Sequence, residues 1–431
     1  MRVLRLAAGG RTEGEVWLPG SKSLSNRFLL LSALCSQPTL LSPLPDSADV
    51  ACLRQALCDL GLTLVAESDG WRVQPISLDH WRSGELFLGN AGTAMRPLVA
   101  VLSVLPGRFV LAGEPRMHER PIGDLVDALR QAGARIDYEA NAGFPPLAIA
   151  PRAGGAGSTV RVRGSVSSQY LTGLLLALGA TGGGVRVEVE GELISKPYVA
   201  MTLALMRRFG VEVALEGWGA FVVPEGARYR SPGEVAVEGD ASSASYFLAA
   251  GLLGGGPLRV EGVGRGALQG DVRFTEVIAA MGGTVVMGED WIEVSGRAPL
   301  VPLDADLNEI PDAAMTAAVL ALFAAGPSRL RNIASWRVKE TDRLSAMATE
   351  LGKFGAQVEE GADFLAVTPP PGFVAGRPAV ARATVDTYDD HRMAMSFALA
   401  AFGPVQVRIN DPGCVSKTFP GFFEAWARVV A

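Results

Sequence analysis

Leu60-Gly61-Leu62-Thr63-Leu64 is the first of five segments in which an apolar residue, a glycine and a strand-like run follow one another. At spacings of 72, 77, 72 and 73 positions, the same pattern recurs around Gly133, Gly210, Gly282 and Gly355. Glycine commonly adopts the left-handed conformation that ends a helix, so each segment predicts a helix that passes into a strand. One further step of this length reaches the helix-like stretch 422–430, and six repeats are therefore predicted.

The repeats also indicate how the chain is divided. A short polar turn such as Met287-Gly288-Glu289-Asp290 follows four of the segments and predicts a β-hairpin after the helix. Six repeats split evenly into three and three, with a boundary near Val237-Glu238-Gly239-Asp240. A length of 431 residues, 48% of them hydrophobic and 19% charged, fits a globular protein of two domains.

A candidate anion-binding segment, Pro19-Gly20-Ser21-Lys22-Ser23-Leu24-Ser25-Asn26-Arg27, precedes the apolar stretch 28–34. Glycine and serines that open a helix leave N–H groups and hydroxyls at its positive end, where an anion is stabilised. Lys22 lies just before the predicted helix, and Arg27 follows Ser23 by four residues on the same face. The glycine spacing of a nucleotide P-loop is absent. Ordinary capping beside a solvated lysine is the alternative interpretation.

Further segments of the first half have the same character. The run 89–97 is built from residues small enough for a ligand to touch the backbone, and Arg116 and Arg120 add guanidinium groups in a loop. Hydroxyl and amide groups precede two predicted helices, in Ser165-Val166-Ser167-Ser168-Gln169-Tyr170 and Ser195-Lys196-Pro197-Tyr198. Such groups suit a phosphorylated, polyhydroxylated small molecule. A tight turn and a solvated basic surface are the alternatives.

Charged motifs mark the second half. Asp312 precedes a predicted helix and is either its N-cap or a base. The segment 337–343 carries five charges, with Lys339 and Arg343 expected on one helical face, and exposed ion pairs are the alternative there. Arg392 and Lys417 each stand in a loop or at a helix start.

Taken together, these motifs resemble those of the 5-enolpyruvylshikimate-3-phosphate synthase family, from residue 15 to about residue 420. The matching segments, in the family's order, are LPGSKSxSNR, LFLGNAGTAMRPL, GEPRMxERPIG, GSVSSQ, SKPY, GDASSASYF, IPDAAMT, WRVKETDRL, DDHRMAM and KTFP. Capping and solvation do not predict this joint arrangement, so the resemblance favours a functional interpretation of each motif.

The resemblance implies a fold as well. Members of this family are two-lobed, inside-out α/β barrels of six βαβαββ repeats, three in each lobe, with buried parallel helices inside the sheets and a cleft between the lobes. In that fold the N-terminal strand belongs with the C-terminal lobe. One lobe is then expected to hold residues 1–20 and 238–431, and the other residues 21–237.

The activity implied is a transferase reaction. The family transfers the enolpyruvyl group of phosphoenolpyruvate to the 5-hydroxyl of shikimate 3-phosphate, and it releases phosphate through a tetrahedral ketal intermediate. Such a reaction needs an acid for the methylene carbon, a base for the hydroxyl, and dense positive charge for the anionic substrates. By resemblance, Asp312 is the base and either Glu340 or Lys22 is the acid.

Motif positions imply the substrate contacts. Those expected for shikimate 3-phosphate are Lys22, Ser23, Arg27, Ser167, Ser168, Gln169, Ser195, Asp312 and Lys339. Those expected for phosphoenolpyruvate, and for the inhibitor glyphosate in its place, are Lys22, Gly92, Arg120, Gln169, Arg343, Arg392 and Lys417. Ser335 stands where family members commonly carry an asparagine that contacts substrate, so Ser335 is left outside the implied site.

Two other functions stay open. The sister enolpyruvyl transferases that act on UDP-N-acetylglucosamine use a cysteine in the loop before an active-site arginine, and the stretch 113–123 contains none. A non-catalytic anion-binding protein on the same repeats would tolerate the loss of Asp312 or Glu340, and both are present.

Composition bounds the cofactors and partners. The four cysteines form no C-x-x-C pair and the three histidines are scattered, so neither a disulfide framework nor a zinc site is predicted. The family's reaction needs no cofactor. A net charge of −6 argues against nucleic acid as a partner. Since no apolar run is long enough to cross a bilayer and the first residues do not resemble a signal peptide, we expect a cytoplasmic protein. We also expect a monomer.

Overall fold

The computed structural model describes residues 3–6, 10–68, 70–152, 157–377 and 381–431. The chain folds into two compact units, here called the first unit (Gly20–Val237) and the second unit (Met1–Pro19 with Glu238–Ala431). Each unit has its own hydrophobic core. The core of the first unit runs from Leu24 to Val237, and that of the second unit takes in Val16 together with apolar residues of 241–429.

The strands of the described residues fall in short segments along the whole chain. They are β1 Val3–Leu6, β2 Gly14–Trp17, β3 Thr39–Ser42, β4 Thr63–Glu67, β5 Gly70–Gln74, β6 Gly84–Phe87, β7 Phe109–Ala112, β8 Arg135–Tyr138, β9 Leu147–Ala150, β10 Thr159–Arg163, β11 Val185–Glu190, β12 Ala214–Glu216, β13 Ala220–Val223, β14 Glu234–Ala236, β15 Leu258–Glu261, β16 Thr284–Met287, β17 Trp291–Ser295, β18 Asp304–Asp306, β19 Ser328–Arg331, β20 Gln357–Glu360, β21 Leu365–Thr368, β22 Ala381–Val385 and β23 Val405–Asn410.

Helices alternate with these strands. The α-helices of the described residues are α1 Lys22–Ala33, α2 Ala48–Asp59, α3 Gly92–Ser103, α4 Gly123–Gln131, α5 Ser168–Thr181, α6 Lys196–Arg208, α7 Ala241–Gly254, α8 Phe274–Ala280, α9 Ala314–Leu320, α10 Arg343–Gly352, α11 His391–Ala398 and α12 Phe422–Val429. Short 3-10 helices cover Leu78–His80, Pro115–Glu119, Gly270–Arg273, Ala321–Phe323, Ala334–Val338, Leu399–Phe402 and Pro412–Lys417.

Six sheets are formed by the described strands, and each corresponds to one repeat. In the first unit the strand orders are β14-β3-β5-β4, β6-β7-β9-β8 and β10-β11-β13-β12; in the second unit they are β16-β17-β15-β2, β18-β19-β21-β20 and β1-β23-β22. The sheet of β6 shows the common plan, since β6 pairs parallel to β7 while β8 and β9 form an antiparallel hairpin. The predicted fold class, α/β with six βαβαββ repeats arranged as three plus three, is confirmed.

At each of the two points where the chain passes from one unit to the other, the strand before the crossing pairs with a sheet of the unit that the chain is leaving. Strand β2 precedes α1 in the chain, yet it pairs parallel to β15 of the second unit, with Val16 opposite Val260. Strand β14 precedes α7, yet it pairs parallel to β3 of the first unit, with Val235 opposite Leu41. The N-terminal strand β1 also joins the second unit, where it pairs antiparallel to β23.

The first helix of every repeat is buried among the sheets. These six helices, here called the leading helices, are α1, α3 and α5 in the first unit and α7, α9 and α11 in the second. In α7, every residue from Ala241 to Leu253 is buried. A helix that is buried on nearly every side has no face to present to water, so the leading helices fill the interior of each unit.

The repeated glycines end the second helix of their repeats, as the sequence predicts. Gly61, Gly133, Gly210, Gly282 and Gly355 all have φ between +85° and +99°. At four of them the following residue donates its N–H to a carbonyl five positions back, as Leu62 does to Leu57 at 3.1 Å. This hydrogen bond is typical of a helix closed by a left-handed glycine.

Replacing Gly355 by alanine should destabilise the second unit. A new Cβ would lie 3.4 Å from Pro370, an ordinary contact, so the cost comes from the φ of +89°. We expect the free energy of unfolding to fall by about 1 kcal/mol in urea denaturation. Gly352→Ala is the matched control, because Gly352 ends α10 with no positive φ and open space around it. Its stability should stay the same or rise, and an equal loss in both variants would contradict this explanation.

Candidate active site

The N-terminus of α1 holds a buried lysine. Ser21 is the N-cap, and its hydroxyl accepts a hydrogen bond from the N–H of Leu24 at 3.4 Å. Lys22 is the first helical residue, and its Nζ lies 3.1 Å from Oδ2 of Asp49 on α2. Both side chains are almost wholly buried, so Lys22 is not the solvated residue of the alternative interpretation.

Arg27 is fixed one turn further along the same helix. Its Nε donates to the Thr202 hydroxyl at 2.8 Å, and its Nη1 donates to the Ser23 carbonyl at 2.9 Å. The contact with Ser23 confirms that the two residues share one helical face. Burial lowers the pKa of Arg27 to about 10, although Tyr198 acts in the opposite direction. Arg27 therefore stays charged at neutral pH while it is held mainly by neutral oxygen atoms.

The N-terminus of α3 lies against two arginines. Asn90 accepts a hydrogen bond from Nη1 of Arg120 at 2.9 Å, and Arg96 donates to the side chain of Gln169 at 2.7 Å. A Cβ added at Gly92 would lie 2.7 Å from Arg120 and 2.8 Å from Arg96. The absence of a side chain at Gly92 thus lets both guanidinium groups approach the first turn of α3.

Hydrogen bonds between leading helices bring their N-terminal turns together in the first unit. Asn26 of α1 donates to Thr93 of α3 at 2.8 Å, and Arg96 of α3 reaches Gln169 in the first turn of α5. Gly173 lets α5 approach α3, because a Cβ there would lie 3.2 Å from the Arg96 carbonyl. Three helix N-termini with positive partial charge therefore meet beside Lys22, Arg27, Arg96 and Arg120.

Hydroxyl-bearing residues border this group. Ser167 caps α5 by accepting a hydrogen bond from the N–H of Gln169, and Ser168 is buried beside it. Ser195 precedes α6 in a left-handed conformation, with φ of 53°. Tyr198, on the first turn of α6, offers its carbonyl to Nη2 of Arg27 at 3.4 Å. These contacts place Ser195 and Arg27 on neighbouring elements.

In the second unit, Asp312 is surrounded by three cations. Its Oδ1 lies 3.1 Å from Nη1 of Arg343 and 3.5 Å from Nζ of Lys339. Its Oδ2 lies 2.9 Å from Nη2 of Arg392. Arg343 is 1% exposed and Asp312 is 18% exposed, so solvent screens these pairs little.

Electrostatics keep Asp312 ionised. Burial alone would raise its pKa, but the cations Arg392, Lys339 and Arg343 outweigh burial and hold the pKa of Asp312 well below its usual range. The charge of Arg343 is secured in the same way. Burial would lower its pKa, and the nearby carboxylates, with Asp390 the strongest, raise it above the usual value.

Two further carboxylates orient the same arginine. Oδ2 of Asp390 accepts from Nε of Arg343 at 2.7 Å, and Oε2 of Glu340 accepts from Nη2 at 2.8 Å. Asp390 also caps α11 by accepting from the N–H of Arg392 at 2.9 Å. Arg392 in turn donates to the Tyr246 hydroxyl of α7 at 3.2 Å. The N-terminal turns of α7, α9 and α11 thus come together as those of the first unit do.

Three details differ from the sequence-based expectations. Ala313, not Asp312, is the N-cap of α9, which removes the capping interpretation of Asp312. Lys339 and Arg343 do not share a helical face, because Lys339 ends a 3-10 helix and α10 begins only at Arg343. The two side chains meet at Asp312 instead. The charges of this segment are only partly exposed, since Glu340 and Arg343 are buried while Arg337 and Asp342 form a more accessible ion pair at 2.9 Å.

The remaining expected residues lie nearby on their own elements. Lys417 is buried at the end of the 3-10 helix Pro412–Lys417, which packs on α11. Ser335 is half-buried in the 3-10 helix Ala334–Val338, beside Trp336, whose indole N–H donates to the Pro311 carbonyl at 2.7 Å. That hydrogen bond ties this segment to the residue before Asp312.

Sequence reasoning missed several residues that hold the site together. Arg96 and Asp390 stand inside motifs that the resemblance used, so an unexplained charge in a matched motif was the available signal. Asp49 lies in α2, outside every motif, and no local pattern indicated that it would pair with Lys22. Thr202 likewise had no signal in the sequence.

In the part of the chain that the structure describes, neither a candidate metal centre nor a candidate membrane-spanning helix is found. In the described ranges, no group of three or more His, Cys, Asp or Glu side chains could hold a metal ion. Among those same residues, no helix is both long enough and apolar enough to cross a membrane.

The chain is similar to known proteins over nearly its whole length. The family model for EPSP synthase (3-phosphoshikimate 1-carboxyvinyltransferase) matches residues 6–426. Proteins named 3-phosphoshikimate 1-carboxyvinyltransferase are 58% identical in Burkholderia vietnamiensis, over 99% of each chain, and 59% identical in Thiobacillus denitrificans, over 100% of each chain.

Solved structures share the fold. The EPSP synthase of Acinetobacter baumannii aligns with a TM-score of 0.78 and 24% identity, over 100% of this chain and 99% of that one. The enolpyruvyl transferase NikO from Streptomyces tendae aligns with a TM-score of 0.75 and 18% identity, over 99% and 97%. The family match and the full-length relatives show that the chain belongs to the EPSP synthase (3-phosphoshikimate 1-carboxyvinyltransferase) family.

Proposed function

We propose that this chain carries out the reaction of its family with the residues described above. Enolpyruvyl is transferred from phosphoenolpyruvate to the 5-hydroxyl of shikimate 3-phosphate, and phosphate is released. The observation that carries the proposal is the ionised Asp312 between Arg343, Arg392 and Lys339, on a chain with full-length relatives of 58–59% identity. The two compact units would be the two lobes, 1–20 with 238–431 and 21–237, of a cytoplasmic monomer.

Shikimate 3-phosphate is a phosphorylated triol acid, so it needs cations and hydroxyl partners together. Lys22 and Arg27 are buried cations at an open helix N-terminus, and Arg27 is held chiefly by uncharged acceptors that a phosphate can outcompete. The proposed contacts are Lys22, Ser23, Arg27, Ser167, Ser168, Gln169, Ser195, Asp312 and Lys339.

Phosphoenolpyruvate carries a phosphate and a carboxylate, and its proposed contacts are Lys22, Gly92, Arg120, Gln169, Arg343, Arg392 and Lys417. Arg343 and Arg392 already hold an anion, the carboxylate of Asp312, in the protein alone. An incoming anion that takes over these guanidinium groups would release Asp312 from two of its cations. The pKa of Asp312 would then rise, and the carboxylate would become a better proton acceptor.

The proposed chemistry runs in two stages. Asp312 takes the proton of the 5-hydroxyl as that oxygen bonds to C2 of phosphoenolpyruvate, and an acid adds a proton to C3 to give the ketal. Loss of a proton from the new methyl group then expels phosphate and restores the double bond. Glu340 and Lys22 are the candidate acids, and Glu340 contacts Arg343 at 2.8 Å.

The acceptor decides between this function and its rivals. We expect phosphate release from phosphoenolpyruvate when shikimate 3-phosphate is the acceptor, and none above background with UDP-N-acetylglucosamine. Both reactions can be followed in one phosphate assay with the purified chain. Release with the sugar nucleotide alone would identify the sister activity, and binding without release would identify an anion-binding protein.

Asp312→Asn tests the base. The amide keeps the size of the side chain but cannot take a proton, so we expect kcat to fall by about 10²-fold or more. Asp304→Asn is the matched control, because Asp304 forms an exposed pair with Arg331 at 2.7 Å and should leave kcat unchanged. Near-normal turnover in Asp312→Asn would exclude Asp312 as the base.

We propose that glyphosate inhibits the chain competitively with phosphoenolpyruvate. Gly92→Ala then tests where phosphoenolpyruvate binds, because glyphosate takes the same position. The added methyl group meets Arg120 and Arg96 at under 3 Å, so the two guanidinium groups must shift. Overpacking of this kind costs about 1–3 kcal/mol, or roughly ten- to a hundredfold in the inhibition constant. Gly84→Ala, where the new Cβ meets open space, is the control. An unchanged inhibition constant in Gly92→Ala would place the inhibitor elsewhere.

A further inference from the structure

A strained loop leads into the leading helix α11. Residues 386–390 join β22 to α11, and two consecutive residues within them, Tyr388 and Asp389, have φ of 53° and 54°. Aspartate tolerates this left-handed backbone conformation, but a bulky residue such as Tyr388 rarely adopts it and keeps it only where the surroundings hold it. The next residue, Asp390, is the one that caps α11 and orients Arg343.

Helix α10 holds this loop at both ends. Arg343, the first residue of α10, donates to Oδ2 of Asp390 at 2.7 Å. Glu350, two turns later on the same helix, accepts the Tyr388 hydroxyl at 2.7 Å and the Asp386 N–H at 3.1 Å. Residues two turns apart lie on one face of a helix, so a single face of α10 fixes the loop.

Glu350 is fully buried, so the stability of its carboxylate depends on its contacts within the protein. A buried carboxylate is costly unless hydrogen bonds and a countercharge satisfy it. Lys353 supplies the charge at 2.8 Å and also reaches Asp386 at 2.9 Å. The Tyr388 hydroxyl donates to the Glu350 carboxylate, and burial together with Glu350 raises the pKa of the hydroxyl further above neutral pH. The carboxylate and the loop are therefore tied to each other.

We propose that Glu350 and Tyr388 are positioning residues that set the placement of Arg392 and Arg343 for the anionic substrate. Release of the loop would move Asp390, and with it both the cap of α11 and the partner of Arg343. The inference rests on the proposed function, because it names phosphoenolpyruvate as the anion. Neither residue touches that anion in this proposal.

Tyr388→Phe is the main test, since it removes one hydroxyl and keeps the ring. We expect the KM for phosphoenolpyruvate to rise about three- to tenfold, with kcat within about twofold and the KM for shikimate 3-phosphate unchanged. Tyr138→Phe is the control, because the Tyr138 hydroxyl has no hydrogen-bond partner among the described residues. It should change neither KM.

A second measurement uses Glu350→Ala and the double variant that combines Glu350→Ala with Tyr388→Phe. If both residues act through the same loop, the double variant should raise the KM for phosphoenolpyruvate no further than Glu350→Ala alone. Amide hydrogen exchange of residues 386–390, measured without substrate, should be faster in both single variants than in the wild type, even if Glu350→Ala proves less stable.

The outcomes separate the two proposals. A selective rise in the KM for phosphoenolpyruvate together with faster exchange supports the positioning role. Unchanged exchange in Tyr388→Phe, or faster exchange with both KM values unchanged, overturns it. A wild-type chain that releases no phosphate would overturn the proposed function, while exchange would still decide whether the tether exists.

Discussion

The direction of the leading helices is the constraint on which both halves of this protein depend. Where a strand, a leading helix and a parallel strand follow in sequence, as in β6-α3-β7 or β18-α9-β19, the helix must run opposite to both strands. Two such helices stand in each unit, α3 and α5 in the first and α9 and α11 in the second, and their N-termini lie at the same end. Hydrogen bonds from Asn26 to Thr93 and from Arg392 to Tyr246 bring the N-terminal halves of α1 and α7 to those ends. Each helix contributes a positive partial charge and unpaired N–H groups there.

The two units use this arrangement differently. In the first unit, Arg27, Arg96 and Arg120 donate to neutral groups of Thr202, Gln169 and Asn90. In the second unit, Arg343 and Arg392 donate to the carboxylates of Asp312, Glu340 and Asp390. In the proposed mechanism, an anion that binds Arg343 and Arg392 replaces the carboxylate of Asp312, which is thereby released to accept a proton. Anion binding and activation of the proposed base are one electrostatic event in that mechanism.

Much of the fold could be predicted because its signals are local. A glycine such as Gly133 ends a helix through its own backbone, so spacing alone revealed the repeats. The pairing of Lys22 with Asp49, or of Arg27 with Thr202, depends on contacts between distant segments and left no such trace. Asp312 was placed at a helix start correctly, but its three cations come from loops and helix starts whose meeting only the tertiary structure determines.

A crystal structure of this chain with shikimate 3-phosphate and glyphosate tests the central claim most directly. We expect an anionic group of the bound ligands within hydrogen-bond distance of Arg343 and Arg392, with Asp312 no longer paired with both arginines. A second anionic group of the bound ligands should lie at the N-terminal turns of the leading helices of the first unit. Bound ligand with Asp312 still paired to both arginines, or ligand away from the helix N-termini, would contradict it.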